Sequence, residues 1–347
     1  MEGLKMRKRS IMAILVAAAL GLSLTSCGSA ESTAKSESAS SAKSESAGAS
    51  SSAPAASSAS GTSSSGGDEK FTIAWVDGNL ANESNAVCAD AAKAYAESQG
   101  MEFLLLDGQG SGETQVSQCE TLIAQGVDCV IVQPYDAAAC QVGVQACIDA
   151  GVNVLVTKTT IEDNSICPFV GQDDVVAGEM EMEWIAEKLG GKGNIVIIEG
   201  PTGISAAINR NDGIENVLKN YPDINVLHTQ PADWNRDEGM ALMEIWLQTG
   251  EQIDAVVAHN DEMALGAYDA IADAGLAGQI YVIGIDAIDA AKKSVADGEL
   301  DATVLQDVET IGQKTVEVAI AMCKGEKVDD VYNIDPILLT KDNVGDY

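Results

Sequence analysis

Residues 255–274 read "AVVAHNDEMALGAYDAIADA", and the architecture turns on this stretch. An uninterrupted apolar run reaches His259; Asn260, Asp261 and Glu262 then open a segment with apolar side chains at helical spacing. Such a run reads as a strand over 255–259 buried on both faces, and an amide followed by two acids reads as the start of a helix over 261–274. A strand passing directly into a helix is half of a parallel crossover, because parallel neighbours cannot be joined by a tight turn.

The same pattern recurs on either side. Strands are predicted at 71–76, 102–107, 129–132, 153–157 and 167–171, and again at 194–199, 224–229, 255–259, 281–285 and 302–305. Helices are predicted over 85–99, 113–125, 136–150, 174–190, 205–220, 236–249, 261–274, 287–297 and 308–324. Each series begins with a strand, a polar loop and a helix. The fold class is therefore α/β with two doubly wound parallel-sheet lobes, and a single (β/α)8 barrel is the alternative.

The ends carry different information. Lys5, Arg7, Lys8 and Arg9 precede an apolar run over 11–24 that finishes "LTSC", residues 24–27. Charge, length and cysteine position give a secretion signal over 1–26, with a lipobox-like ending that makes Cys27 a lipidation site and a membrane anchor. Residues 27–69 are rich in Ser, Ala and Gly, without apolar side chains to bury, and read as a flexible tether with a reach of about 35 Å. The net charge is -33, and residues 1–26 hold a net +3, leaving near -36 for the rest. Acidity on that scale repels nucleic acid and anionic lipid. Apart from Cys27 there are seven cysteines, an odd number with no CxxC pair, so they read mainly as small buried hydrophobes without a zinc site.

In parallel α/β sheets, ligands sit at the carboxyl ends of the strands. Those positions hold "DGNLANESN" (77–85), "QPYD" (133–136), "TKTT" (157–160), "GPTGIS" (200–205), "HNDE" (259–262), "IDAID" (285–289) and "LQD" (305–307), with "PADWNR" (231–236) beside them. Nucleophilic chemistry around Ser205, with His228 or His259 as base, is disfavoured. Gly200, Pro201, Thr202 and Gly203 intervene between the strand and the stretch holding Ser205, so it reads instead as the cap of a helix starting at Ala206. No glycine loop ends in Gly-Lys-Ser/Thr, and no paired carboxylates or metal pattern appear, so neither a catalytic residue nor a cofactor is assigned.

Recognition fares better. Amides donate and accept, a carboxylate takes two hydroxyl protons, and an aromatic face covers the C–H face of a sugar. Asn82, Gln133, Trp234, Asn260, Asp286 and Gln306 provide that set, with Lys158 as the one lysine among them. Each has a plainer alternative: Asn82, Asn260 and Asp286 as helix caps, Trp234 as lobe packing.

"QPADWNRDEGMAL" (230–242), "AHNDEMALGA" (258–267), "VIGIDA" (282–287) and "SVADGELDATVLQ" (294–306) resemble periplasmic sugar-binding proteins of the ribose-binding type, the solute receptors of ABC importers. The similarity runs from about Phe71 to Leu339. It implies two lobes, 70–172 plus 307–333 and 173–306 plus 334–347, joined by a three-crossover hinge and closing on one ligand that is passed to ABC permease subunits. The family's sugar-holding positions fall on the same six residues. The chain departs from the family in three places: Ser84 and Asn85 stand where it has an aromatic pair, Lys158-Thr159 replaces Asp-Arg, and Ile208 replaces an arginine. Arg210, two residues on, reads as a structural ion pair. With those guanidinium forks gone, the ligand implied is a small neutral polyhydroxy compound, a hexose, sugar alcohol or cyclitol in preference to ribose. A signalling receptor with the same fold is the alternative function, and a secreted serine hydrolase the remote one.

Overall fold

The computed structural model describes residues 70–347. The signal over 1–26, Cys27 and the tether over 27–69 lie outside the described residues.

The first series gives β1 (Thr72–Asp77), α1 (Glu83–Ser98), β2 (Glu102–Asp107), α2 (Gly112–Gln125), β3 (Cys129–Val132), α3 (Ala137–Asp149), β4 (Asn153–Thr157) and β5 (Phe169–Gly171). The second gives α4 (Asp174–Lys188), β6 (Lys192–Glu199), α5 (Ser205–Leu218), β7 (Asp223–Pro231), α6 (Arg236–Gln248), β8 (Ala255–Ala258), α7 (Asp261–Asp273), β9 (Tyr281–Asp286), α8 (Asp289–Asp297) and β10 (Ala302–Leu305). α9 (Val308–Cys323), β11 (Val331–Asn333) and β12 (Ile337–Thr340) complete the chain.

Two six-stranded sheets form, in the orders β11-β5-β4-β3-β1-β2 and β12-β10-β9-β8-β6-β7. Two separate sheets rule out the single barrel. Only the β10–β12 pair is antiparallel. The chain passes between sheets three times, after β5, after β10 and after β11. The last two strands were missed in the sequence because β11 has three residues and Pro336 separates it from β12; both are edge strands, fixed by pairing with β5 and β10.

Burial on both faces accounts for the continuous apolar strands. Ile73 and Trp75 of β1 join a core with α1 and α9, while Ala74 and Val76 join another with α2 and α3. In the second lobe Val196 and Ile198 of β6 pack towards α6 and α7, and Ile195 and Ile197 towards α4 and α5. Helix pairs approach closely through glycine. A Cβ on Gly266 of α7 would lie 2.0 Å from the Arg236 carbonyl at the start of α6, and one on Gly178 of α4 would lie 2.1 Å from the Arg210 carbonyl of α5. The seven described cysteines are free thiols, six of them buried, as their reading as small hydrophobes requires.

A buried carboxylate ties the second lobe's strand ends together. Asp261 accepts the Ile288 N–H at 3.0 Å and the Thr303 hydroxyl at 2.7 Å, joining α7 to the β9–α8 loop and to β10. Burial, with the charge of Asp286 nearby, pushes its carboxyl up to about 7.

Two outcomes follow from this packing. Gly266→Ala should lower the unfolding free energy by about 1–3 kcal/mol in urea titration, because the added methyl has only backbone to displace. Asp261, raised from an ordinary 3.8 to about 7, holds its proton more tightly folded than unfolded, so its contribution is complete below pH 4 and is lost as pH rises through 7. Stability of the wild type relative to Asp261→Asn should therefore decline across that window, with a limiting slope of about 1.4 kcal/mol per pH unit; a difference that grew with pH would contradict it.

Candidate functional site

The carboxyl ends of both sheets face one cavity of about 180 Å³. That is below the ~300–1,000 Å³ typical of pockets for drug-sized ligands, and suits a small solute. All seven residues singled out in the sequence line it: Asn82, Gln133 and Lys158 from the first lobe, and Trp234, Asn260, Asp286 and Gln306 from the second and its crossover.

The first-lobe wall is a hydrogen-bonded chain. Asp77, at the end of β1, accepts the Trp75 indole N–H at 3.0 Å and the Asn79 N–H at 2.9 Å. Burial pushes its carboxyl up, against the pull of these donors and of Lys158. Asn85 donates its amide to Asp77 at 3.3 Å and presents its oxygen to Lys158 Nζ at 2.9 Å. The ammonium also donates to Ser84 Oγ at 2.9 Å. Asn82 caps α1, accepting the Asn85 N–H at 3.2 Å. Gln133, following β3, accepts the Gly78 N–H at 3.1 Å, and its amide nitrogen has no hydrogen-bond partner among the described residues.

The second-lobe wall is built on ions and an aromatic face. Arg210 of α5 donates to Asp174, at the start of α4, at 2.9 Å, with both side chains about 5% exposed. It also donates to the His259 carbonyl and lies 5.6 Å from the Trp234 ring centroid. The ion pair anticipated for Arg210 is present, and the residue lines the cavity as well. Trp234 rests against Gly200, where a Cβ would fall 2.1 Å from the ring. Asn260 caps α7 by accepting the Met263 N–H at 3.0 Å, and its amide approaches the Trp234 carbonyl. Both asparagines are thus caps and cavity residues together. The Asp286 carboxylate and Gln306 amide make no hydrogen bond with another described side chain or backbone group, yet they are not sealed within protein. Burial raises the Asp286 carboxyl, while Arg210 and Lys158 hold it down.

The cavity is strained. Of six non-glycine residues with positive φ among those described, four line it: Lys158 (59°), Asp233 (48°), Trp234 (61°) and Asp286 (127°). Such backbone costs of order 1–3 kcal/mol per residue and persists where surrounding contacts over-determine it.

Three expectations need correcting. Asp286 is not a cap: α8 begins at Asp289 behind Ile288, which makes no side-chain cap bond. Ser205 is likewise not a cap; it is the first residue of α5, behind Ile204. Its hydroxyl accepts the Thr160 N–H across the cleft at 2.8 Å. His259 does not flank the cavity. It is wholly buried, Nδ1 accepts the Gly200 N–H at 3.3 Å, and burial with the Arg210 charge pushes its pKa down to about 3. His228 pairs with Glu251 and stacks on Trp246. Ser205 has no histidine partner, so the hydrolase reading fails. Sequence reasoning missed Asn79, Tyr135, Asp174 and Asp233 as lining residues; Asn79, Tyr135 and Asp233 lie within the quoted strand-end loops, and Asp174 is buried by a partner 36 positions away.

Known proteins agree with this geometry. Residues 73–327 match the family model for the periplasmic binding protein domain. The xylitol-binding protein of Mycolicibacterium smegmatis is 42% identical over 253 residues, 72% of each chain. The ribose import binding protein of Bacillus subtilis is 36% identical over 263 residues, 76% of this chain and 85% of the relative. An ABC transporter solute-binding protein from Bacillus halodurans, solved with bound myo-inositol, superposes with a TM-score of 0.78 at 35% identity, covering 82% of this chain and 99% of that one. With two parallel-sheet lobes, three crossovers and a cavity at the strand ends, the chain belongs to the periplasmic binding protein family of transporter solute receptors, which bind their solutes and are not enzymes.

Proposed function

We propose that this protein captures a neutral sugar or sugar alcohol between its lobes and delivers it to the permease subunits of an ABC importer, anchored outside the cell membrane by lipidated Cys27. The observation that carries the reading is the set of cavity groups without partners among the described residues: the Gln133 amide nitrogen, the Asp286 carboxylate and the Gln306 amide, in a cavity that Trp234 also lines. Buried polar groups require partners, and hydroxyls supply both donor and acceptor to each. A ligand lacking one such hydroxyl leaves a desolvated group unpaired, at about 1–3 kcal/mol. Xylitol, ribose and myo-inositol are the solutes of the relatives and neighbour described above, and all are of this class. Asn82, Gln133, Lys158, Trp234, Asn260, Asp286 and Gln306 are the proposed contacts.

Closure is part of the function. The Thr160–Ser205 hydrogen bond joins the lobes without touching the cavity, so it stabilises the closed form whatever the ligand. Ser205→Ala should weaken all ligands alike, by about five-fold for a bond worth ~1 kcal/mol; a change in the order of ligand preference would contradict that role. In a thermal-shift screen of sugars, polyols and amino acids, a ligand at about a thousand times its Kd adds roughly 4 kcal/mol of stability. The wild type should respond to a polyhydroxy compound and not to amino acids. Asp286→Ala should keep the unliganded melting temperature and lose the response. Asn260→Ala should lose it too, with about 1 kcal/mol of stability lost through the missing cap. An amino acid hit without a polyhydroxy one would overturn the reading.

A further inference from the structure

Lys158 is an unusual buried cation. It is 6% exposed and lines the cavity, with its backbone in the left-handed region at φ 59°. Among the described residues no carboxylate lies within ion-pair distance of its ammonium. Its two partners are neutral oxygens, Ser84 Oγ and Asn85 Oδ1, both at 2.9 Å. An ammonium carries three N–H groups, so one is uncommitted. Asn85 is itself fixed, because its amide donates to Asp77 and to the Asn79 carbonyl. The ammonium is therefore held from behind by a chain reaching the buried end of β1, and is not a loose surface charge.

Two further features of the cavity bear on what would meet that N–H. Of its charged lining groups Arg210 is matched by Asp174, which leaves Lys158 in one lobe and Asp233 and Asp286 in the other, with Lys158 close enough to hold the Asp286 carboxyl down. A solute spanning them must accept from an ammonium and donate to a carboxylate, which a pair of hydroxyls does without net charge. The first-lobe corner is also polar, with Ser84 and Asn85 in place of any aromatic side chain. Trp234 and half-buried Tyr135 are the aromatic lining. A pyranose gains from an apolar ring face sandwiched between aromatics; a solute bearing hydroxyls on every carbon gains from polar walls.

Resting on the sugar or sugar-alcohol reading above, we infer that Ser84, Asn85 and Lys158 act as one specificity element, in which the two neutral oxygens position the ammonium to give its remaining N–H to a hydroxyl oxygen of an alditol or cyclitol, selecting these over pyranoses and over sugar acids. Lys158 is the contact. Ser84 and Asn85 are positioning residues for it.

Calorimetric titration of the wild type with xylitol, myo-inositol, D-xylose and D-xylonate tests this. Xylitol or myo-inositol should bind at least about ten-fold more tightly than D-xylose or D-xylonate. Lys158→Met, close to isosteric and uncharged, should lose about 10–100-fold for the polyol, the range of one charge-assisted hydrogen bond. It should lose much less for D-xylose, so that the preference collapses. Ser84→Ala and Asn85→Ala, which leave the cation in place, should each weaken the polyol several-fold and erode the same preference; they carry the test if Lys158→Met does not fold, which circular dichroism would report. The inference is overturned if the Lys158 variant, or both positioning variants, keep wild-type polyol affinity and preference, or if D-xylose or D-xylonate binds the wild type more tightly than the polyols. Absence of heat with all four solutes would instead overturn the sugar or sugar-alcohol reading itself.

Discussion

Parallel pairing constrains everything else in this molecule. A parallel strand cannot return by a tight turn, so nearly every strand is followed by a helix that carries the chain back, with a longer loop doing so between β4 and β5. Carboxyl ends of strands and amino ends of helices therefore collect on one edge of each sheet. Three passages between the sheets bring the two edges face to face. The cavity is a geometric result of that connectivity: Gln133, Lys158, Asn260, Asp286 and Gln306 all follow or end a strand, and Asn82, Asp174 and Asn260 all sit at helix starts.

The connectivity also explains why buried charge is tolerated beside the cavity. Arg210 is enclosed, and isolated burial of a guanidinium would be costly. Asp174 at the start of α4 and the His259 carbonyl at the end of β8 supply its partners. Burial, reinforced by the same positive charge, pushes the His259 pKa down, and that charge also holds the Asp286 carboxyl down against burial. Glu181 of α4, whose carboxyl oxygens have no side-chain partner among the described residues, is pushed well above the ordinary carboxylate range by burial, against the pull of Arg210. One guanidinium thus biases several buried groups in addition to the effect of burial, while lying over the Trp234 ring.

Strand and helix positions were legible in the sequence because burial on both faces leaves long apolar runs and because Asn and Asp mark helix starts. The cavity residues were legible for a related reason. Once strand ends are known, amide and carboxylate side chains there have few other uses. What escaped depends on distant partners. β11 is three residues long and exists through pairing with β5. Asp174 reads as a helix-start acid until Arg210 is seen against it. Ser205 looks like a cap or a nucleophile in one dimension, and only the approach of Thr160 from the opposite lobe reveals a bond across the cleft. His259, adjacent to the most telling residue in the chain, points its chemistry inward because the strand end at Ala258 turns it against Gly200.

Lys158, Ser84 and Asn85 show how sequence departures should be weighed. Along the chain they are two separate departures, some seventy positions apart, from the pattern that the sequence resembles. In space they meet: the lysine ammonium donates to both Ser84 and Asn85. Side chains that touch in the fold satisfy one another's polar groups and together set the surface offered to a solute. That contact, with Ile208 as the third departure, sets this cavity apart from the ribose-type pattern that the sequence resembles.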